Sequence, residues 1–220
     1  MQRIADGAWQ PGQMLPSEFE IAADLGVSQG TVRKALDEMT AENLLVRRQG
    51  RGTFVARHDD ARILFQFFKL TRDDGERQFP ESRVLDVRVV RASVEACERL
   101  GLASGDKVVQ IERVRSLAGV ACVAEGMVLP HRLFPGLESR NLPNNLYELY
   151  ATKFGVTVAR ASERLKAVAA TLRTAKHLGV PSGTPLLSVD RIAFDIGGAP
   201  VEWRMSLCRT DGFHYLCDLR

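Results

Sequence analysis

Gly26-Val27-Ser28-Gln29-Gly30-Thr31-Val32-Arg33-Lys34-Ala35-Leu36-Asp37-Glu38-Met39 carries a helix together with its start signal. Ser28 offers a capping oxygen to the backbone N–H groups that lack a partner in a first turn. Val32, Ala35, Leu36 and Met39 recur at helical spacing and form one apolar stripe. Gln29, Gly30, Arg33, Lys34 and Asp37 take the opposite face. Upstream, Ser17-Glu18-Phe19-Glu20 is a capping box that opens a helix over residues 18–25, and Gly26 closes it. Val27 is expected to pack inward. Helix, short turn with glycine, helix is the helix-turn-helix pattern. Ile4 to Trp9 reads as the end of an earlier helix, with Pro11-Gly12 and Pro16 breaking the chain after it.

Downstream, Leu44-Leu45-Val46-Arg47-Arg48 and Thr53-Phe54-Val55-Ala56 read as two strands joined by Gln49-Gly50-Arg51-Gly52. A hairpin after a recognition helix makes a wing. An arginine between glycines at its tip can approach phosphates or a minor groove without obstruction. The window from Val27 to Arg57 holds Arg33, Lys34, Arg47, Arg48, Arg51 and Arg57 against Asp37, Glu38 and Glu42. That local excess sits within residues 1–60, whose balance is −2, in a chain of net charge +3. Net charge alone therefore does not point to nucleic acid; the placement of the cations does.

Residues 58–80 read as a linker and a first strand, the strand being the apolar block Ile63 to Phe68. Beyond it the chain repeats itself. Leu100-Gly101-Leu102-Ala103-Ser104-Gly105 returns as Leu178-Gly179-Val180-Pro181-Ser182-Gly183. Each copy follows a helical stretch and precedes two β-runs, folded back at Gly119 in the first copy and at Gly197-Gly198 in the second. A helix-forming segment, Leu146 to Phe154, lies between them. This predicts a pseudo-symmetric α+β domain over residues 81–220 with a mainly antiparallel sheet, joined to a winged helix-turn-helix over residues 1–57.

Folding the first hairpin about Gly119 sets Arg113 opposite Glu125, with Arg115 two residues along on the same face. Folding the second about Gly197-Gly198 puts Arg191, Ala193, Glu202 and Arg204 on one face. A one-residue slip would invert both faces. Such a face offers cations to an anion and carboxylates to donors; a cross-strand ion pair on a solvated sheet is the other reading. Glu125 and Glu202 are also a conceivable acid/base pair.

The composition, 45% apolar and 26% charged, is that of a globular chain rather than a disordered one. No stretch is long and apolar enough for a membrane helix, and residues 1–15 lack a secretory block. Cys97, Cys122, Cys208 and Cys217 have no metal-ligand spacing and read as reduced residues, mostly in the core, of a cytoplasmic protein. The histidines stand singly, so neither a metal nor another cofactor is expected. No nucleophile elbow, P-loop or dinucleotide fingerprint occurs, and no catalytic residue is assigned.

Pro11-Gly12, Leu15-Pro16-Ser17-Glu18, Gly26-Val27-Ser28, Thr31-Val32-Arg33, Ala35-Leu36 and Gly50-Arg51-Gly52-Thr53-Phe54-Val55, in this order and spacing, resemble the GntR superfamily of bacterial transcription regulators. Ile111, Arg113, Arg115, Glu125, Leu146-Tyr147, the Leu178 to Leu187 segment and Pro200-Val201-Glu202 resemble the UTRA effector-binding domain of its HutC subfamily, similar in fold to chorismate lyase. The resemblance implies a homodimeric repressor on a roughly palindromic operator of double-stranded DNA, released by a small anionic or zwitterionic metabolite. It implies DNA contacts from Thr31, Arg33, Gly50 and Gly52, to which the helix face and the wing add Ser28, Gln29, Gly30, Lys34, Arg48 and Arg51 as candidate contacts. It implies an effector pocket containing Arg113, Arg115, Glu125, Tyr147 and Glu202. Such regulators often carry arginine where this chain has Phe19 and Gln29, and a longer first helix. The competing expectation is an enzyme of the lyase-like fold with a regulatory N-terminal domain.

Overall fold

The computed structural model of the chain describes residues 2–5, 8–10, 12–41, 44–56, 67–75 and 78–217. In the N-terminal unit, α1 spans Gln2–Ala5, α2 Glu18–Leu25 and α3 Gln29–Ala41. The capping box of α2 is formed: Ser17 Oγ accepts from the Glu20 N–H at 3.2 Å, and the Glu20 carboxylate accepts from the Ser17 N–H at 2.8 Å. Gly26 ends α2 with φ +64°, the left-handed conformation that a side chain disfavours. Ser28 caps α3, its Oγ accepting from the Thr31 N–H at 3.1 Å.

Val32, Leu36 and Met39 of α3 are buried with Ile21 and Ala22 of α2, Leu15, and Leu44, Leu45 and Val55 of the wing. Two expectations fail here. Ala35 is exposed, because the buried stripe narrows to Val32, Leu36 and Met39; Val27 is 43% exposed and takes no part in the apolar cluster. The wing pairs β1 (Leu45–Arg48) with β2 (Gly52–Val55), Arg48 facing Gly52. Residues 12–15 run along β2, the Leu15 N–H donating to the Thr53 carbonyl at 2.8 Å.

The C-terminal unit is a six-stranded antiparallel sheet in the order β4-β5-β6-β9-β8-β7. The strands are β4 (Glu81–Arg91), β5 (Lys107–Leu117), β6 (Val120–Pro130), β7 (Val158–Ala169), β8 (Pro185–Asp195) and β9 (Pro200–Arg209). The repeat seen in the sequence is the symmetry of this sheet. β4, α4 (Val94–Leu100), β5 and β6 build one half; β7, α6 (Leu172–Leu178), β8 and β9 build the other, and the halves meet at β6 and β9. Matching caps repeat too: Ser93 and Thr171 open the two helices, and Gly101 and Gly179 end them in the left-handed conformation.

α4 and α6 lie over one face of the sheet. On the other face, α5 (Leu146–Phe154) packs on Val109, Ile111, Met127 and Leu129. A small two-stranded sheet closes the far end of that face: β3 (Leu70–Arg72) pairs with β10 (Phe213–Tyr215), packed on Val123, Val189 and Cys208. Of the strand expected at Ile63 to Phe68, residues 63–66 lie outside the described residues; Phe67 and Phe68 are not in a strand, and the described pairing begins at Leu70, where β10 supplies a partner. β6 and β8 each have a neighbour on both sides, and β4 and β7 are the edges of the sheet.

Cys122 and Cys208 are buried and Cys217 is exposed, all as free thiols. No helix among the described residues is long and apolar enough to cross a membrane.

Candidate functional site

Two clusters of arginine and glutamate gather the residues singled out in the sequence. The first lies where α2, α3 and β1 meet. Glu18 accepts from Arg33 Nε at 2.9 Å and from Gln29 Nε2 at 3.4 Å, and its carboxylate stands 3.8 Å from Arg47. The bond from Arg33 holds the Glu18 carboxyl below the usual range. Arg47 reaches Asp37 at 2.6 Å. Ser28, Gln29, Gly30, Thr31, Arg33 and Lys34 are all exposed on the first turns of α3, as are Arg48, Gly50, Arg51 and Gly52 on the wing. Gly50 (φ +70°) and Gly52 (φ +103°) let the tip turn in three residues, and the Arg48 guanidinium lies 5.0 Å over the Phe54 ring. Glu18 as the hub of this cluster was not foreseen. The capping box placed it on the first turn of α2, and nothing local shows that α3 packs beside that turn.

The second cluster lies on the sheet face between α5 and the β3–β10 pair, and it is buried. The hairpin register is the anticipated one: Arg113 faces Glu125, Arg191 faces Arg204, and Ala193 faces Glu202. A two-residue turn at Ala118-Gly119 would by itself set Arg113 against Ala124; the bulge near Arg115 and Ser116 restores the pairing with Glu125. Glu125 accepts from Arg113 Nε at 2.6 Å and lies 3.8 Å from both Arg115 and Arg204. Glu202, fully buried, accepts a fork from Arg204 at 2.9 and 2.8 Å and hydroxyl protons from Tyr147 at 3.0 Å and Tyr150 at 2.8 Å. Arg191 donates to Glu163 at 2.6 Å and to the Phe67 carbonyl.

Arg115 is the exception to this pairing. Its guanidinium sits 4.5 Å over the Phe68 ring, and its buried Nε has no hydrogen-bond partner. Burial, with Arg113 and Arg204 nearby and Glu125 only partly opposing, pushes it down to about 9. A small open cleft of about 20 Å³ is lined by Phe67, Phe68, Glu125, Arg191, Ser206 and Tyr215 among others. The structure thus brings together all five sequence-picked residues of this site, Arg113, Arg115, Glu125, Tyr147 and Glu202. Of these only Glu125 lines the cleft.

Arg191 and Arg204 followed from the same hairpin arithmetic. Tyr150 is one turn beyond Tyr147 on α5. Phe67, Phe68 and Tyr215 carry no local signal, because they reach the site only through the pairing of β3 with β10. The acid/base reading of Glu125 and Glu202 fails on electrostatics. Burial would raise both carboxyls, but the surrounding guanidiniums outweigh it and hold both below the carboxylate range, so neither carries a proton near neutral pH.

Residues 76–214 match the UTRA domain, and residues 1–55 match the gntR family of bacterial regulatory proteins. The chain is 31% identical over 218 residues to the HTH-type transcriptional repressor NagR of Bacillus subtilis, covering 97% of this chain and 90% of that protein. The ligand-binding domain of a GntR-family transcriptional regulator from Bordetella bronchiseptica superposes with a TM-score of 0.66 at 39% identity, over 70% of this chain and 98% of that one. PhnF from Mycobacterium smegmatis superposes over 100% of this chain and 96% of that one, with a TM-score of 0.60 at 26% identity. The first two of these are transcription regulators, which favours the regulator over the enzyme. With a reading head of two capped helices and a wing, and a UTRA sheet carrying the buried arginine cluster, the chain belongs to the GntR family of bacterial transcription regulators.

Proposed function

We propose that this regulator is a repressor that binds a palindromic operator as a homodimer and lets go when a small anionic metabolite enters the cleft of its UTRA domain. One observation carries the effector class. Arg113, Arg115, Arg191 and Arg204 share one buried face with Glu125, Glu202 and the half-buried Glu163, and Arg115 Nε has no partner. A buried surplus of positive charge with an unused donor is stabilised by an incoming anion.

The same contacts suggest how occupancy is felt at the DNA. The chain leaves the wing after Ala56 and is next described at Phe67. Phe67 and Phe68 are held by Arg191 and Arg115. An anion that recruits these two guanidiniums takes them from the segment leading to the reading head. It shifts the balance only by its preference for one state. In the head, Ser28 to Lys34 of α3 serve as the groove-facing segment, with Arg48 and Arg51 on the wing as phosphate or minor-groove contacts. One head covers one half-site, so a palindrome calls for two protomers. The setting is the bacterial cytoplasm, at the nucleoid.

The test is a thermal-shift screen of phosphorylated and carboxylated metabolites, followed by operator release. A ligand at about 100 times its Kd adds roughly 2.7 kcal/mol to stability. Arg115→Ala is expected to keep operator binding and lose both the shift and the release. Release of this variant at the wild-type ligand concentration would remove Arg115 from the site. Titrations at several protein concentrations give two protomers per operator if the dimer is right.

A further inference from the structure

Three features of the reading head are not explained by its own folding. Phe19, on the first turn of α2, is 73% exposed and belongs to none of the apolar clusters. Gly30, the second residue of α3, has an ordinary helical φ. A Cβ there would meet only Ser28 Oγ at 3.8 Å, an ordinary contact, so the fold does not require glycine. Glycine weakens a helix, and where the fold does not ask for it, a close approach by something outside the chain is the other reason to keep it. Gln29, beside it, is exposed, and its amide has a single long bond, 3.4 Å to Glu18.

Phe19 is next to Glu18, and Glu18 touches both Gln29 and Arg33, so the first turns of α2 and α3 stand side by side. A lone exposed phenyl group carries no meaning. One beside an unconstrained amide and an unneeded glycine, on a head that binds DNA, is a different case. A glutamine amide matches the N6 donor and N7 acceptor of adenine, and an apolar side chain matches the 5-methyl of thymine.

We propose that Phe19 and Gln29 are specificity-determining residues. Gln29 pairs with an adenine and Phe19 packs on a thymine methyl in the same operator half-site, with Gly30 allowing the backbone to come close. The consequence is an operator read by A·T steps at these positions. The inference rests on the DNA binding of the family and is independent of the effector.

The experiment selects operators from a random DNA pool with the full chain, then replaces each thymine of the selected half-site in turn by deoxyuridine, which removes only the methyl group. For the wild type, one replacement is expected to weaken binding severalfold, and Phe19→Ala is expected to be indifferent to it. Gln29→Ala is expected to lose about 5- to 150-fold of its preference for adenine over guanine at one position. Gly30→Ala is expected to raise Tm while weakening operator binding. A selected half-site with no methyl-sensitive thymine overturns the proposal. So does a thymine whose replacement costs the Phe19→Ala variant as much as the wild type. All three variants are at exposed positions, and a circular-dichroism melt confirms that they are folded.

Discussion

Each of the two units holds a glutamate between arginines, and burial makes them different devices. The Glu18 side chain is 25% exposed and that of Arg33 60%, whereas the side chains of Glu125 and Arg113 are 3% and 2% exposed. In water the ion pair gains little, about 0–1 kcal/mol, and salt screens it within about 8 Å. Its arginines can be lent to a phosphate at small cost. In the sheet the charges have left water, and each must be met by a hydrogen bond. Glu202 is met four times, by Arg204 twice and by two tyrosines, and this fixes the floor of the face against α5. Arg115 is under-met, and the proposed effector would supply the missing partner. An exposed cluster is suited to exchange partners, and a buried one to detect a missing partner.

The largest test of this contrast is Glu202→Gln. It removes the charge that Arg204, Tyr147 and Tyr150 share, so it should cost about 3–5 kcal/mol in urea unfolding. The pH dependence follows with a definite sign. The folded Glu202 carboxyl lies below its ordinary value of 4.5, so its contribution is fully present above that value. It is lost as pH falls from there through the lower folded value, because the unfolded chain takes up protons first. Glu125 behaves alike. The acid limb of stability should flatten in Glu202→Gln. A loss under about 1 kcal/mol, with an unchanged acid limb, would put the buried cluster on the same footing as the exposed one.

The sequence was a good guide wherever a local rule acts, and a poor one where a distant segment intervenes. The helix over residues 18–25, its capping box and the helix over residues 146–154 were legible because caps and glycine stops are local chemistry. The repeat gave the two halves of the sheet. It did not give β4 and β7, the edge strands that begin each half, because an edge strand is held by its neighbour more than by its own pattern. Arg113 against Glu125 was legible from the glycine turn, and the register held because a bulge compensated for the turn. Phe67, Phe68 and Tyr215 were hidden, since their place depends on two strands more than a hundred residues apart in the chain.

On the exposed side, Arg33→Ala should lower operator affinity at least about tenfold, roughly 1.4 kcal/mol, at moderate salt. If Arg33 neutralises one phosphate, the slope of log K against log salt should become shallower by about 0.9. Its Tm should stay near that of the wild type, because the pair with Glu18 is largely in water. A binding loss accompanied by a large drop in Tm would mean that Arg33 holds the head together instead of touching DNA.

Glu18→Gln is the smallest expected effect and the finest probe of the contrast. Glu18 restrains Arg33 and approaches Arg47 in the free protein, and it brings a negative charge to the face proposed to meet phosphates. Removing it costs almost no stability, within about 0.5 kcal/mol, because the arginines remain solvated. It frees Arg33 and removes one repulsion, while Arg47 stays paired with Asp37, so binding to DNA of unrelated sequence should rise about two- to fivefold. The selected operator should gain less, because Arg33 then has to be ordered on binding when Glu18 no longer holds it in place. The ratio of operator to unrelated DNA affinity should therefore fall, and anisotropy titrations on the two DNAs at one salt concentration measure it. A variant that binds both DNAs equally more tightly would show that Glu18 only repels. One that loses several degrees of Tm would show that this carboxylate, like Glu202, anchors the fold, and the difference between the two clusters would then be one of exposure alone.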